Sequence, residues 1–520
     1  ETDQNDYTTH HFSYQKYLPS QFTAYFFFTS KMVFLIYCTT QIGFIYALIL
    51  TKAMIFLCKF LLAKLLGLDC LNMMDKMFIF ENGNPSVIGG VSYVEDFDYE
   101  TIRKQIKERL FDKIPKLSSN LVTYGGEFFW NTPSINRLSQ EEKDSIINKR
   151  IIKATVKGDS GLREYLQNQT NQTPCTFECP VECHIIEIEE EGNEANKEAK
   201  PSKRGCMYTK LDHTFCDGLG IVSLLGFVDN EFDINKYPEF MRKKLGWNYY
   251  VKAGIDFVLA STLGVVWGIK YTLNKLKPSL KYKPFYNMKT GERKASKTTK
   301  ISEMYSFSID PIKAFGKKTK NSLNDLIVYS LFKTLKKISP ESENVLTLIP
   351  IGFSNLPTKP EEVEVYNKFS GFIDIVPLPE LNDANSNSKS ETNETKHSKY
   401  QIIDLLGNMY KVKFLWTIVF ALSDLIPYTF IKYLQFHITP EIVVTNVPGP
   451  VKEFRIGNCR LTRMSPITNT SSSSIFVALS SYIGKISVYT SIDKAIDIDP
   501  DEFSKMYGET LNCLAQSKEE

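Results

Sequence analysis

Met207 to Leu225 reads MYTKLDHTFCDGLGIVSLL, and the fold is argued outward from this stretch. Its first half alternates as a strand that ends at Leu211; His213, Asp217 and Gly218 follow, and an apolar helix begins at about Gly218. A histidine at a strand end, facing a cleft, is placed to take a proton from a hydroxyl, and its ordinary pKa of about 6.5 suits that task near neutrality. Asp217, four residues on, can fix the loop by accepting backbone N–H groups or pairing with an arginine. Gly218 and Gly220 permit a turn and close approach to a neighbouring element. By residue chemistry alone, a strand-end histidine followed by Asp-Gly serves as a structural turn more often than as a catalytic one.

On the N-terminal side, strands are expected at 86–94, 150–156 and 181–188, a helix at 99–110, and a polar loop at 187–204. On the C-terminal side, residues 246–300 read as a connector holding a short apolar helix, 257–269. A basic run closes it, with ten Lys/Arg and one Glu over 270–300. Such a run is a solvated arm, a seat on anionic lipid headgroups or a contact for substrate phosphates. Beyond it come strands at 304–309, 345–350, 441–445, 474–481 and 485–490, helices at 323–339 and 401–437, and a low-complexity loop at 380–399. The expected class is α+β, in two halves: 69–245 and 301–520, joined by 246–300.

The chain has 520 residues and a formal charge of +3, which excludes a polycation built to bind nucleic acid and a highly charged disordered chain. No fixed period marks a solenoid. Most of the ten cysteines are scattered. Cys175, Cys179 and Cys183 with His184 offer ligand types for zinc, but their spacing departs from the usual tight pairs and Pro180 opposes a shared helical face. The alternative is a reduced cytosolic loop entering a strand, and no metal is expected.

Residues 1–68 form an extension. Met32 to Thr51 is a run of twenty uncharged residues between Lys31 and Lys52, about 30 Å as a helix and so long enough to span a bilayer. Residues 53–66 read as an interfacial amphipathic helix with Lys59 and Lys64 at its polar edge. The alternative is a hydrophobic hairpin buried within a complex. The excess of lysine after the run places the body on the cytosolic side of a single-pass protein, in the endoplasmic reticulum or alternatively a mitochondrial membrane.

The His-x-x-x-Asp-Gly of His213 to Gly218 resembles the active-site motif of the chloramphenicol-acetyltransferase-like acyltransferases, and more closely that of the wax ester synthase/diacylglycerol acyltransferase family. Further segments agree in order: Leu71–Phe80 (LNMMDKMFIF) with Asp75; Asn324-Asp325; Asn367-Lys368-Phe369 ahead of Pro377-Leu378-Pro379; Asn446-Val447-Pro448-Gly449-Pro450; and Ser481-Tyr482 with Gly484, then Asp493. The resemblance implies two lobes with a tunnel between them. His213 would deprotonate an alcohol that attacks the thioester of acyl-CoA, the co-substrate, with no bound cofactor. A long-chain alcohol or diacylglycerol would be the acceptor and a membrane lipid the surrounding. Asp217 would hold the loop, Asn324 and Asp325 would cap a helix or orient the site, and the Asn446–Pro450 turn, with Pro448 and Gly449, would shape the second lobe's face. Two departures stand out. Asp212 replaces the first of two adjacent histidines, and Thr173–Pro180 stands where an arginine-containing segment is expected. They keep open a second expectation, a non-catalytic descendant of the fold serving as a structural subunit of a membrane complex.

Overall fold

The computed structural model describes residues 21–71, 73–79, 86–124, 127–172, 177–190, 203–242, 296, 298–352, 363, 365–379, 412, 440–470 and 473–516. Cys175, most of the 187–204 loop, the helix at 257–269, nearly all of the basic run and the segments expected at 380–399 and 401–437 lie outside the described residues.

Chain order begins with α1 (Gln21–Ile42) and α2 (Phe44–Leu66), then β1 (Asp69–Cys70) and α3 (Met73–Ile79). The first lobe continues with β2 (Val87–Glu95), α4 (Tyr99–Ile106), β3 (Leu121–Tyr124), β4 (Glu127–Trp130), α5 (Gln140–Arg150), β5 (Ile151–Lys157), α6 (Gly158–Asn171), β6 (Val181–Glu189), β7 (Arg204–Asp212) and α7 (Gly218–Val228). The second lobe holds β8 (Thr299–Ile301), β9 (Tyr305–Ser308), α8 (Asp310–Thr319), α9 (Leu323–Ile338), β10 (Asn344–Gly352), β11 (Phe369–Pro377) and β12 (Ile442–Val447). It ends with β13 (Arg455–Ile456), β14 (Cys459–Thr468), β15 (Ile475–Tyr482), β16 (Lys485–Asp493) and α10 (Pro500–Gln516).

Two large sheets follow. One runs β13-β14-β2-β7-β6-β5; the other runs β11-β10-β12-β15-β16-β8 with β9 also on β16. The central strands are buried along nearly their whole length, as in β7 and β16, because helices or the other lobe cover both faces. The sheet assignments do not follow the linear halves: β14, from the second half, pairs antiparallel with β2 over Arg460–Thr468. No strand was expected there because Arg460, Arg463 and Pro466 break the apolar signal. A bulge between Leu461 and Arg463 and the stacking of Arg463 on Tyr93, 4.2 Å from guanidinium to ring centroid, accommodate the polar side chains.

The extension departs from the expected single span. Gly43, at φ +83°, breaks the run Met32–Thr51 in two, and the chain folds back so that Leu35 packs with Ala47. Among the described residues, no helix is long and apolar enough to cross a membrane. The base of the hairpin is fastened to the body. Ala63 and Leu68 pack on Phe129 of β4, and Glu127 takes Lys31 of α1 at 2.9 Å, Lys59 of α2 at 2.9 Å and Lys76 of α3 at 3.0 Å. Burial alone would raise the Glu127 pKa; the charges of Lys76, Lys59 and Lys31 outweigh it and bring the carboxyl down to about 2.

Candidate active site

β7 pairs with β2 as far as Val87↔Asp212, so His213 is the first residue beyond the sheet. Its amide donates to the Ser86 carbonyl at 2.8 Å, which holds the turn against the strand end. Asp217 then caps α7: its Oδ1 accepts from the Gly220 amide at 2.9 Å. Its Oδ2 accepts from the Lys368 amide at 2.9 Å, tying the loop to the segment that leads into β11. α7 is buried on almost every side, with Ile221, Val222, Leu224, Phe227 and Val228 in the core. A side chain at Gly218 would press on Val447, its Cβ 3.0 Å from Cγ2, so the α7 start and the β12 end meet closely.

The neighbour of Lys368 completes the arrangement. Asn367 Nδ2 donates to Asp75 Oδ1 at 2.8 Å and to the His213 carbonyl at 2.6 Å. Both partners are acceptors, so the amide cannot be flipped, and the atom facing His213 Nδ1 at 3.1 Å is the carbonyl Oδ1. Nδ1 therefore carries the ring proton, and the lone pair lies on Nε2. Phe78 of α3 lies flat on the imidazole, with ring centroids 3.8 Å apart and planes 4° from parallel, and Phe369 tilts against it at 5.8 Å. His213 remains half-buried, yet the apolar surroundings push its pKa down to about 4 against the help of Asn367. The ring is thus a neutral base at physiological pH.

Asp75 is fully buried, and its second oxygen, Oδ2, has no hydrogen-bond donor; the Lys116 ammonium stands 4.0 Å away. Burial raises its pKa to about 7, opposed by Lys116 and the two Asn367 donors. Lys116 is itself wedged over the Trp130 and Phe215 rings, at 4.9 and 5.0 Å.

Asp212 does not face solvent. It is buried, and its Oδ1 accepts from the Thr214 amide at 2.8 Å and hydroxyl at 2.6 Å, bracing the turn. Asp325 forms a capping box with Ser322 at the start of α9. Asn324 accepts from Asn446 Nδ2 at 2.8 Å, which links that helix start to the end of β12. Pro448 and Gly449 continue this turn; a Cβ on Gly449 would lie 2.1 Å from the Ser481 carbonyl, so only glycine fits without a backbone shift. His213, Asp217 and Gly218 thus share one loop, with Asn446–Gly449 packed against its helix. Asn324 and Asp325 support that turn from the far side. Sequence reading missed the roles of Asn367, Asp75 and Phe78; the segments carrying them were legible, the contacts were not.

An apolar cavity opens beside this loop. Its interior has about 50 Å³ of room and is lined by Gly218, Val447 and Ser480 at one part and by Leu110, Met207, Leu224 and Val228 deeper in the first lobe. That is room for a few water-sized groups. Among the described residues, no group of His, Cys, Asp and Glu side chains could hold a metal ion. Cys179 and Cys183 are free thiols, and His184 is engaged by Tyr165 and Glu182.

Comparison with known proteins agrees with this architecture. The chain resembles in structure the wax ester synthase/diacylglycerol acyltransferase from Marinobacter aquaeolei VT8, with 13% identity, 86% of this chain and 98% of that one covered, and a TM-score of 0.51. It also resembles the trichothecene 15-O-acetyltransferase from Fusarium sporotrichioides, with 12% identity, 86% and 94% coverage, and a TM-score of 0.54. At these identities the likeness is one of fold. No curated protein matches the chain in sequence. Residues 386–515 match the family model described as the WS/DGAT C-terminal domain. That match likens residues 386–515 to the WS/DGAT C-terminal domain, and the two-lobed fold is similar to that of the Marinobacter protein.

Proposed function

We propose that the protein is an acyl-CoA-dependent O-acyltransferase that esterifies a long-chain alcohol or diacylglycerol, with His213 Nε2 as the general base. The observation that carries this reading is the chain Asp75–Asn367–His213, which leaves the imidazole neutral with its lone pair on Nε2. In the reaction, Nε2 takes the acceptor's hydroxyl proton as its oxygen attacks the thioester carbonyl carbon. The tetrahedral intermediate collapses, the C–S bond breaks, and the departing CoA thiolate takes the proton back from Nε2. While the ring is an imidazolium, Nδ1–H points at the Asn367 carbonyl, whose amide is polarised by Asp75. A placed base contributes about 10²–10⁴ in rate, and holding both reactants together supplies up to about 7–11 kcal/mol more. The apolar lining beside Gly218 matches a fatty chain in polarity.

A second reading is a non-catalytic structural subunit, favoured by Phe78 lying flat over His213. Labelled acyl-CoA with a panel of alcohols and acylglycerols separates the two, with His213→Ala as control. Ester formed by the parent chain and lost in the variant supports the enzyme; no ester with any acceptor supports the scaffold.

A further inference from the structure

Among the described residues, the exposed large apolar side chains are concentrated on the hairpin α1–α2. Val33, Ile36 and Tyr37 on α1 are 61, 61 and 65% exposed, and Tyr46 and Phe56 on α2 are 70 and 68% exposed. These positions do not form one stripe. Of the described α2 side chains only Ala47, Thr51 and Ala63 are buried, while exposed ones lie all around the rest of the helix. A partner protein or a second copy would call for one apolar stripe matched to a groove. A helix apolar around most of its circumference calls for an apolar solvent.

The position of Glu127 sets the depth. Lys31 and Lys59 reach the same carboxylate from the two arms, so they mark one level on the hairpin. Beyond that level, 32–42 and 44–58 extend about 17 and 22 Å at about 1.5 Å per residue. That exceeds the ~15 Å of hydrocarbon in one leaflet and falls short of the ~30 Å of a whole bilayer core. Lys64 is exposed nearer the base, an ammonium placed for anionic headgroups. Lys52 lies about 10 Å above Lys59, within the reach of a snorkelling side chain.

We infer that α1 and α2 form a re-entrant hairpin seated in one leaflet of an anionic lipid bilayer, its Gly43 tip in the hydrocarbon and both arms returning to the side of the body. The inference goes beyond the proposed reaction and does not depend on it. The same α3 that reaches the hairpin's Glu127 clasp through Lys76 also places Asp75 and Phe78 at His213, so the site sits next to the bilayer surface.

The test uses the full chain with sealed vesicles of phosphatidylcholine and phosphatidylserine containing no substrate. The chain should float with the vesicles, and external protease should remove an epitope placed ahead of Glu1 while also digesting the body. A Tyr46→Trp variant should gain fluorescence quenched most by lipids brominated deep in the acyl chain. Ile36→Lys with Phe56→Lys should lower vesicle partition roughly tenfold or more. His213→Ala should float like the parent, which separates this result from any failure of catalysis. A protected epitope would mean a span and overturn the hairpin. A folded chain that stays with the aqueous fraction, as a monomer or as an oligomer by light scattering, would overturn lipid as the occupant.

Discussion

His184 and His213 come from neighbouring strands of one sheet, and burial depresses the basicity of both. Their surroundings differ in one respect that decides their chemistry. His184 lies in the middle of β6, with Nδ1 2.8 Å from the Tyr165 hydroxyl and Nε2 3.2 Å from Glu182, whose carboxylate also holds Lys210 at 3.0 Å. Every polar atom of that ring is spent on structure. His213 stands one residue past the end of β7, where the sheet no longer supplies partners, and Asn367 engages Nδ1 alone. Burial of a histidine is therefore not enough for acid–base work. What matters is a ring held from one side, with no partner on the other nitrogen among the described residues.

The contrast breaks first at the histidines themselves. His213→Ala should lower kcat by about 10²–10⁴, whereas His184→Ala should keep kcat within a few-fold and cost roughly 1–3 kcal/mol of stability by stranding Glu182 and Tyr165. Steady-state kinetics beside denaturant unfolding reads both; equal kcat losses would erase the distinction. Asn367→Leu tests the fixed tautomer next. It removes the acceptor for Nδ1–H without touching Nε2 and should lower kcat roughly 100-fold with little change in KM, because the ring can then carry its proton on the wrong nitrogen. A change confined to KM would assign Asn367 to substrate binding.

A smaller effect should appear in the pH profile. His213 is protonated only as pH falls through about 4, so the base stays available above that. Asp75 ionises as pH rises through about 7, and its charge favours the imidazolium, so kcat/KM should climb several-fold across that step. Asp75→Asn should flatten the step while leaving the limb near 4, and a step that survives the substitution belongs to another group. The smallest effect is expected at Asp212. Asp212→Asn keeps one acceptor for Thr214 and should cost about 1 kcal/mol in thermal unfolding with kcat within twofold. A large loss of kcat would return Asp212 to the proton-transfer machinery.

Local chemistry made part of the site legible in advance. A strand that stops at Leu211, a histidine, and an Asp-Gly that caps the next helix are related over a few residues, and short-range geometry follows from composition. The Ser322–Asp325 capping box is legible for the same reason. The hydrophobic run at Met32–Thr51 was legible as apolar but not as bent, because a single glycine at a left-handed φ decides between a rod and a hairpin, and glycine tolerates both.

The sequence by itself therefore determined the loop that bears His213, the α+β class and the family resemblance carried by ordered short motifs. Tertiary structure alone decided what that histidine can do. Asn367 is 154 residues from His213 and 292 from Asp75, and Lys31, Lys59 and Lys76 meet Glu127 from three separate helices. Likewise β14 crosses from the second half to complete the first lobe's sheet. Such contacts leave no periodic trace along the chain, since each partner is an ordinary polar residue until the fold brings the others within about 3 Å.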